Sequence, residues 1–275
     1  MTIIESILLG LIQGLTEFLP VSSSGHLVLA QELLGKNLEN ATFDVFLHFG
    51  TFLSIIIMLR KEVAQLILGF FRLLPLLFNP RNLKQGYTTD QNIQRAAILF
   101  IGTLPAAIIG VLFEKQIEAL FNDAKLVSLM LIGTGFILLS TWWVKEKRQI
   151  LSLRRGLLIG IAQAVAIVPG ISRSGSTISM GLHVGLDKKE AVHFSFLLAV
   201  PVIFGASILK GVHLLTGTEP MMPLSSLITG TLTAFVSGCF AIAVLIRLVQ
   251  VGKLYPFAYY CFIVGLCAFG FLIIR

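Results

Sequence analysis

The sequence predicts an all-α membrane protein that crosses the bilayer several times. Of its 275 residues, 56% are hydrophobic and only 13% are charged, which is about half the charged fraction of an average soluble domain. Several uncharged runs are long enough, at roughly 18 residues or more, to cross ~30 Å of hydrocarbon as helices. A very apolar soluble core would need polar helix faces, and these segments lack them.

Two segments of the chain repeat each other at a distance of 150 residues. Residues 10–29 (GLIQGLTEFLPVSSSGHLVL) align without a gap with residues 160–179 (GIAQAVAIVPGISRSGSTIS). Each copy is an apolar run that is broken at a proline, followed by a Ser/Gly-rich turn and a second apolar run. The repeat therefore predicts two copies of one structural unit.

Six spanning helices are predicted where the apolar runs are longest, at about 43–59, 95–113, 126–143, 190–211, 224–247 and 254–274. Residues 63–78 are also apolar but contain Arg72 and Pro75, so we expect them to form an interfacial helix. The two repeated segments differ from the spans because proline and glycine break each of them in the middle. Irregular backbone at membrane depth is tolerated only inside protein or beside water. We therefore expect re-entrant helix-turn-helix hairpins at 3–33 and 155–184.

The basic residues predict the orientation of the chain. With both hairpins re-entrant, all but five of the Lys and Arg residues outside the hairpin turns fall on one side of the membrane. The five exceptions are Lys36, Lys115, Lys125, Lys210 and Arg275. By the positive-inside rule the basic side is the cytoplasm, and both termini face outward. The first hairpin then enters from outside and the second from the cytoplasm. This predicts inverted repeats of about 1–125 and 151–275 within one membrane domain, 1–275.

A Ser-x-Ser-Gly sequence precedes the second short helix of each hairpin. The serines are suited to cap that helix, its free N–H groups favour an anion, and glycine allows a ligand to approach the backbone closely. A single serine of this kind is often a plain cap, but the duplicated pair predicts a phosphate-binding site. Arg173 adds a planar guanidinium suited to phosphate oxygens. The candidate binding residues are Ser22, Ser24, Gly25, Ser172, Ser174, Gly175 and Thr177.

Glu17 and Arg173 are the charged residues placed inside the hairpin turns. Ionisable groups at that depth are costly and usually functional, although the two could also form an ion pair that joins the halves. Gln13 lies one helical turn before Glu17 and shares its helix face. His26 follows Ser23 by three residues, so its imidazole could reach the Ser23 hydroxyl or a bound phosphate. A structural hydrogen bond is the plainer alternative for this histidine.

These residues resemble the signature motifs of a known family. Gln13-x-x-x-Glu17 followed by residues 20–26 (PVSSSGH), together with residues 169–177 (PGISRSGST), look like the two motifs of bacterial undecaprenyl-diphosphate phosphatases of the bacitracin-resistance type. The similarity extends to the segments 43–50 and 194–201. The first motif often has Glu where this chain has Gln13. A glutamine cannot act as a base, so a positioning or metal-shell role is expected for it.

The resemblance implies an activity, a location and a cofactor. Such enzymes remove the terminal phosphate of undecaprenyl diphosphate in the bacterial plasma membrane, and their overexpression confers bacitracin resistance. They need a divalent cation, here expected to be Mg²⁺ with Ca²⁺ as the alternative, at Glu17 with Gln13 in its shell. The implied partners are a polyprenyl diphosphate and the lipid bilayer, and no nucleic acid. A homodimer is left open.

The hypothesis for the chemistry makes Ser23 the nucleophile, activated by His26 or Glu17, with Arg173 on the diphosphate oxygens. A phosphohistidine at His26 and direct attack by water stay open. A lipid-phosphate transporter is the competing class, because inverted repeats with broken helices are typical of transporters. Since the first hairpin enters from outside and carries Glu17, Ser23 and His26, we expect the site to face the outer side.

Overall fold

The computed structural model describes residues 2–34, 41–145, 147–215, 223–251 and 254–275. Within these ranges the regular structure is entirely helical, which confirms the predicted all-α class. One 3-10 turn, Ser140–Trp143, accompanies the α-helices. The α-helices are α1 (Ile3–Phe18), α2 (Ser23–Leu33), α3 (Ala41–Met58), α4 (Arg60–Leu76), α5 (Pro80–Thr89), α6 (Gln91–Leu112), α7 (Glu114–Phe121), α8 (Ala124–Leu139), α9 (Leu153–Val165), α10 (Arg173–His183), α11 (Lys188–Leu215), α12 (Leu224–Val251) and α13 (Tyr255–Ile274).

Five of the described helical segments are long and apolar enough to cross a membrane. They belong to α6, α8 with its 3-10 turn, α11, α12 and α13, and they match five of the six predicted spans to within a few residues. The sixth predicted span, 43–59, qualifies only as half of a bent pair with α4. The prediction of a multi-pass membrane protein is therefore confirmed, with five or six spans.

The predicted interfacial helix begins earlier than expected, at Arg60 rather than residue 63, and it leaves α3 at an angle of 92°. Its inner face buries Val63 and Leu73, while Phe71 on its outer face is 65% exposed. Helix α4 leaves α3 at nearly a right angle, with apolar residues buried on one face and exposed on the other. This is the geometry expected of a helix that lies along a membrane surface.

Two further helices, α5 and α7, were not predicted. Both are short and carry polar and charged residues throughout, so neither stands out as an uncharged run. A local signal did mark the start of α5: the Asn79 side chain accepts hydrogen bonds from the amides of Arg81 and Asn82, and Pro80 occupies the first turn. Asparagine as N-cap followed by proline is a typical helix start.

Both repeated segments fold as two short helices joined by a sharp turn. The helices α1 and α2 are separated at 19–22, and α9 and α10 at 166–172. Ser22 and Gly170 take left-handed backbone conformations, with φ of 67° and 91°. Only glycine adopts that conformation readily, so Ser22 needs support from its surroundings.

Each hairpin packs against a helix from the opposite half of the chain: α1 packs against α12, and α9 packs against α6. The aligned glycines make both contacts close. A Cβ atom at Gly10 would lie 2.7 Å from the Gly230 carbonyl oxygen, and one at Gly160 would lie 2.1 Å from the Gly102 carbonyl oxygen. Each hairpin is thereby held against a long helix from the other half.

Candidate active site

The turns of the two hairpins meet in the interior of the protein. The Ser174 hydroxyl donates a hydrogen bond of 2.9 Å to the carbonyl oxygen of Leu19. Gly25 approaches the second turn so closely that a Cβ atom there would lie 3.1 Å from the Cα of Gly170. Residues about 150 positions apart in sequence are thus brought into one site.

The matching serines cap the second helix of each hairpin in the same way. Ser22 accepts a hydrogen bond from the Gly25 amide (3.3 Å), and Ser172 accepts one from the Gly175 amide (3.0 Å). In each turn the capping hydroxyl also lies 3.3 Å from the hydroxyl of the next serine of the motif. Two helix N-termini, each an anion-favouring feature, therefore lie at the junction.

Thr134 of α8 supports the second turn. Its hydroxyl donates to the carbonyl oxygen of Gly170 (2.8 Å) and accepts from the amide of Ser172 (2.9 Å). One buried side chain thus satisfies two backbone groups that a helix start would otherwise leave unpaired.

Glu17 is the centre of the polar network. One of its carboxylate oxygens accepts a hydrogen bond from the Arg173 guanidinium, which makes a buried ion pair between the two hairpins. The other accepts from the Ser23 hydroxyl at 2.5 Å and from the Gln13 amide at 2.9 Å. The side chain of Glu17 is only 5% exposed and that of Arg173 is 18% exposed, so the carboxylate is shielded from bulk solvent while its contacts with Arg173 and Ser23 are part-buried.

A histidine to which the sequence assigned no role also lies beside Glu17. His48 of α3 places Nε2 at 3.9 Å from Oε2 of Glu17. Its Nδ1 lies 2.8 Å from the Asp44 carbonyl oxygen; a carbonyl only accepts, so Nδ1 carries a proton and Nε2 faces the carboxylate. The signal in the sequence was the segment 43–50, which resembles the family without belonging to either signature motif.

The candidate catalytic histidine lies elsewhere. His26 contacts the Ser22 carbonyl oxygen and the hydroxyl of Tyr260, and it is not among the residues that line the cavity described below. The Ser23 hydroxyl donates to Glu17 instead. The structure therefore pairs Ser23 with the carboxylate and gives His26 the hydrogen-bonded surroundings of a structural residue.

The candidate binding residues divide into two groups. Ser22, Ser24 and Ser172 line the cavity. Thr177 is buried against the hydroxyl of Ser195 (2.6 Å), and Ser174 is held by Leu19. Gly25 and Gly175 contribute backbone amides to the caps. Thr177, Ser174, Gly25 and Gly175 therefore stabilise the two turns and are not among the residues that line the cavity.

A cavity of about 820 Å³ lies against this polar centre. Its floor contains Glu17, Ser23 and Arg173, and its walls come from α2, α3, α7, α11 and the second turn. The apolar wall residues include Leu27, Val28, Val45, Phe121, Ile167, Ile171, Val202 and Ile203, and polar residues including Gln31, Lys115 and Glu118 also line the walls. A polar floor under walls that carry a large apolar part fits a ligand with a charged head and a hydrocarbon tail.

The residues present also fit a divalent cation that is held partly by its substrate. The Oε1 atom of Gln13 is buried with no hydrogen-bond partner among the described residues, and it lies on the amide that contacts Glu17. Within the same ranges no group of three or more His, Cys, Asp or Glu side chains could hold a metal by itself. Mg²⁺ is commonly bound by one or two protein oxygens, with substrate phosphates and water completing its shell.

The fold and the site define a class: a multi-pass helical membrane protein with a buried carboxylate, serine and arginine beneath an amphiphilic cavity. Comparison with known proteins identifies the family. A model described as bacitracin resistance protein BacA matches residues 6–267, and the chain belongs to this family. The resemblance of the two motifs is thereby confirmed over nearly the whole chain.

Relatives of similar length are named undecaprenyl-diphosphatases. The chain is 45% identical over 272 residues to the undecaprenyl-diphosphatase of Halothermothrix orenii, covering 97% of this chain and 96% of that protein. It is 43% identical to the undecaprenyl-diphosphatase of Desulfosudis oleivorans, covering 95% and 96%. With the protein of that name from Korarchaeum cryptofilum it shares 38% identity, covering 99% and 100%.

Proposed function

We propose that this protein is a membrane hydrolase that removes the terminal phosphate of undecaprenyl diphosphate and leaves undecaprenyl phosphate. The observation that carries the proposal is the Ser23 hydroxyl at 2.5 Å from the Glu17 carboxylate, with Arg173 on the other carboxylate oxygen. A nucleophile, a base and a phosphate-binding cation are thus assembled on one cavity floor. The activity for which the relatives are named supports the proposal.

The ion pair in the structure is the resting state of the site. When a diphosphate enters, its oxygens compete for Arg173, whose planar guanidinium matches phosphate geometry. Glu17 then loses the contact that holds its negative charge and becomes free to take a proton. Substrate binding therefore activates the base in the same step that positions the phosphate.

The reaction proceeds in two displacements. The Ser23 oxygen forms a bond to the terminal phosphorus, the bond from that phosphorus to the bridging oxygen breaks, and undecaprenyl phosphate leaves. Glu17 accepts the serine proton. Water then forms a bond to the phosphorus of the phosphoserine, the bond from that phosphorus to the Ser23 oxygen breaks, and inorganic phosphate leaves with the protons of the water. Glu17 returns its proton to the Ser23 oxygen.

A divalent cation, Mg²⁺ or Ca²⁺, completes the proposal for the site. Glu17 and the free amide oxygen of Gln13 are the protein groups that would hold it. When bound, it neutralises charge on the diphosphate as the phosphorus–oxygen bond breaks. The protein's own contribution is to keep these oxygens buried, with the Glu17 carboxylate fixed by Ser23 and Arg173.

The cavity also supports an outward-facing site in the plasma membrane. It extends from Glu17 to α7, where Lys115 and Glu118 line it. In the charge-based topology Lys115 is on the outer side. The apolar walls leave room for the first part of a polyprenyl chain, whose remainder stays in the bilayer.

The inverted arrangement of the halves, about 1–125 and 151–275, is part of the proposal. The exchange of hairpins, with α1 on α12 and α9 on α6, supports a pseudo-twofold relation. The same relation is typical of transporters, so movement of a lipid phosphate is the second candidate function.

Purified protein in detergent separates the two candidates, because no membrane is left to transport across. We expect Mg²⁺-dependent release of inorganic phosphate from undecaprenyl diphosphate, and its loss in Arg173→Ala and in Glu17→Ala. Arg72→Ala is the matched control, since it breaks an exposed ion pair with Asp90. Absence of release by folded wild-type protein would reject the hydrolase and favour the transporter.

A further inference from the structure

The hydrogen bonds of His26 fix its tautomer. Its Nδ1 atom lies 2.8 Å from the carbonyl oxygen of Ser22, which can only accept, so Nδ1 carries a proton. The same carbonyl oxygen also accepts from the backbone amide of His26 at 3.2 Å. The imidazole is therefore anchored to the residue that directly precedes the nucleophile.

The second ring nitrogen of His26 is also engaged. Its Nε2 atom lies 2.8 Å from the hydroxyl of Tyr260, and the two rings are nearly parallel, at 8°. With Nδ1 protonated in a neutral ring, Nε2 accepts and the tyrosine hydroxyl donates. The lone pair that a general base would use is thus occupied by Tyr260.

The anchored residue has an unfavourable backbone conformation. Ser22 is one of two described non-glycine residues with positive φ, at 67°, a region that side chains disfavour. This conformation turns the chain between α1 and α2 and so points the Ser23 hydroxyl back at Glu17. A group that holds the Ser22 carbonyl in place therefore helps to keep the Ser23 hydroxyl hydrogen-bonded to Glu17.

Helix α13 supports the first turn at a second point. Cys261, adjacent to Tyr260, places its sulfur 3.9 Å from the carbonyl oxygen of Pro20. The helix therefore contacts the turn through neighbouring residues on both sides of Ser22. The contact with His26 is thus accompanied by a second contact between α13 and the first hairpin.

We infer that Tyr260 and His26 act as a positioning pair. They hold the Ser22 carbonyl in place and thereby keep the Ser23 hydroxyl hydrogen-bonded to Glu17. This inference rests on the proposed hydrolase function. A residue of the last helix, Tyr260, thus supports the site in the first hairpin. In this role His26 neither transfers a proton nor forms a covalent intermediate. The pair acts on the rate of the chemical step and leaves substrate binding unchanged.

Replacements of His26 distinguish positioning from chemistry. In His26→Asn the amide nitrogen occupies the place of Nδ1 and can still donate to the Ser22 carbonyl, whereas His26→Phe keeps a ring but has no donor. We expect kcat to stay within about 10-fold of wild type for His26→Asn and to fall about 100-fold for His26→Phe, with KM unchanged, because a small misplacement of reacting groups costs that much. Equal loss of kcat in both variants would show a base or nucleophile and overturn the inference.

A double-mutant cycle tests the role of Tyr260. Tyr260→Phe should lower kcat about 3- to 10-fold in the wild-type background and have no further effect in His26→Asn, whose shorter side chain does not reach the tyrosine. Tyr259→Phe is the matched control, because its ring contacts Tyr255 and lies outside the site. Equal effects of Tyr260→Phe in both backgrounds would reject the pair.

Nitrogen NMR of protein labelled at histidine gives a readout that does not depend on activity. We expect the wild-type His26 resonance of the Nδ1–H tautomer, and a shift of its Nε2 resonance in Tyr260→Phe but not in Tyr259→Phe. An Nε2–H tautomer would contradict the inference even if phosphate release is normal. If the protein releases no phosphate but shows this tautomer and shift, the proposed function fails and the geometry of the pair stands.

Discussion

At the scale of single residues, the sequence named candidate side chains, and the structure shows which of them lie in contact. Gln13 and Glu17 share a helix face, and that spacing predicts the hydrogen bond between them. The partner of Ser23 depends instead on the left-handed backbone of Ser22, which directs the hydroxyl to Glu17 and away from His26. No spacing rule predicts a positive φ at a serine, so the choice between Glu17 and His26 as the partner of Ser23 required the structure.

The position of His48 leads to a prediction at this scale. Its Nε2 is the imidazole nitrogen nearest to Glu17 among the described residues, at 3.9 Å; this exceeds hydrogen-bond distance, and an approach of about 1 Å would let it share the proton that Glu17 receives in the proposed reaction. We expect His48→Gln to lower kcat about 10-fold, at the weak end of general acid–base effects, measured as phosphate release in detergent.

His183→Gln provides the control for His48. Like His48, His183 places Nδ1 2.8 Å from a carbonyl oxygen four residues earlier, here that of Ser179. The His183 ring lies near Ser140 and away from Glu17. Wild-type activity in His48→Gln would remove this histidine from the proposed proton path.

At the scale of helices, hydrophobic length and proline breaks predicted the spans and hairpins, but not the partners of the hairpins. The repeat marked Gly10 and Gly160 as equivalent, yet only the structure shows that each meets a backbone oxygen of the opposite half. The helices α5 and α7 escaped prediction because they are short and polar, and their neighbours position them more than their own sequence does.

The close contact at Gly160 predicts a stability effect. A methyl group there would lie 2.1 Å from the Gly102 carbonyl oxygen, which is backbone and cannot move aside without shifting α6. We expect Gly160→Ala to reduce the free energy of unfolding by about 1–3 kcal/mol, as other overpacked sites do. The measurement is thermal unfolding in detergent.

Gly133→Ala is the control for this substitution, because nothing lies within 4 Å of a Cβ atom at that helical position. Its unfolding temperature should stay at or slightly above wild type, since alanine favours helix. If both variants unfold at the same temperature, α9 and α6 do not pack as closely as described.

At the scale of the whole molecule, the charge distribution gives an orientation that distances within the protein do not. Lys115 on the cavity wall and Lys145 after α8 are both exposed and are predicted on opposite sides of the membrane. Lys36, another residue predicted outside, lies beyond the described ranges. The orientation therefore stays a prediction that needs a membrane to test it.

Cysteine labelling in intact cells tests this orientation. In a variant without Cys239, Cys261 and Cys267, we expect a membrane-impermeant maleimide to label Lys115→Cys and to leave Lys145→Cys unlabelled until the membrane is opened. If only Lys145→Cys is labelled from outside, the predicted orientation is wrong and the cavity opens on the cytoplasmic side.

The central claim is that Ser23, held on Glu17 where the two hairpins meet, attacks the terminal phosphate. The most direct test is the kcat for release of inorganic phosphate from undecaprenyl diphosphate by purified Ser23→Ala. The comparison is Ser128→Ala, which removes a hydroxyl that donates to the Lys125 carbonyl of its own helix (2.7 Å). The account predicts a loss of about 10³-fold or more for Ser23→Ala and wild-type activity for Ser128→Ala. Near-wild-type release by folded Ser23→Ala would contradict it.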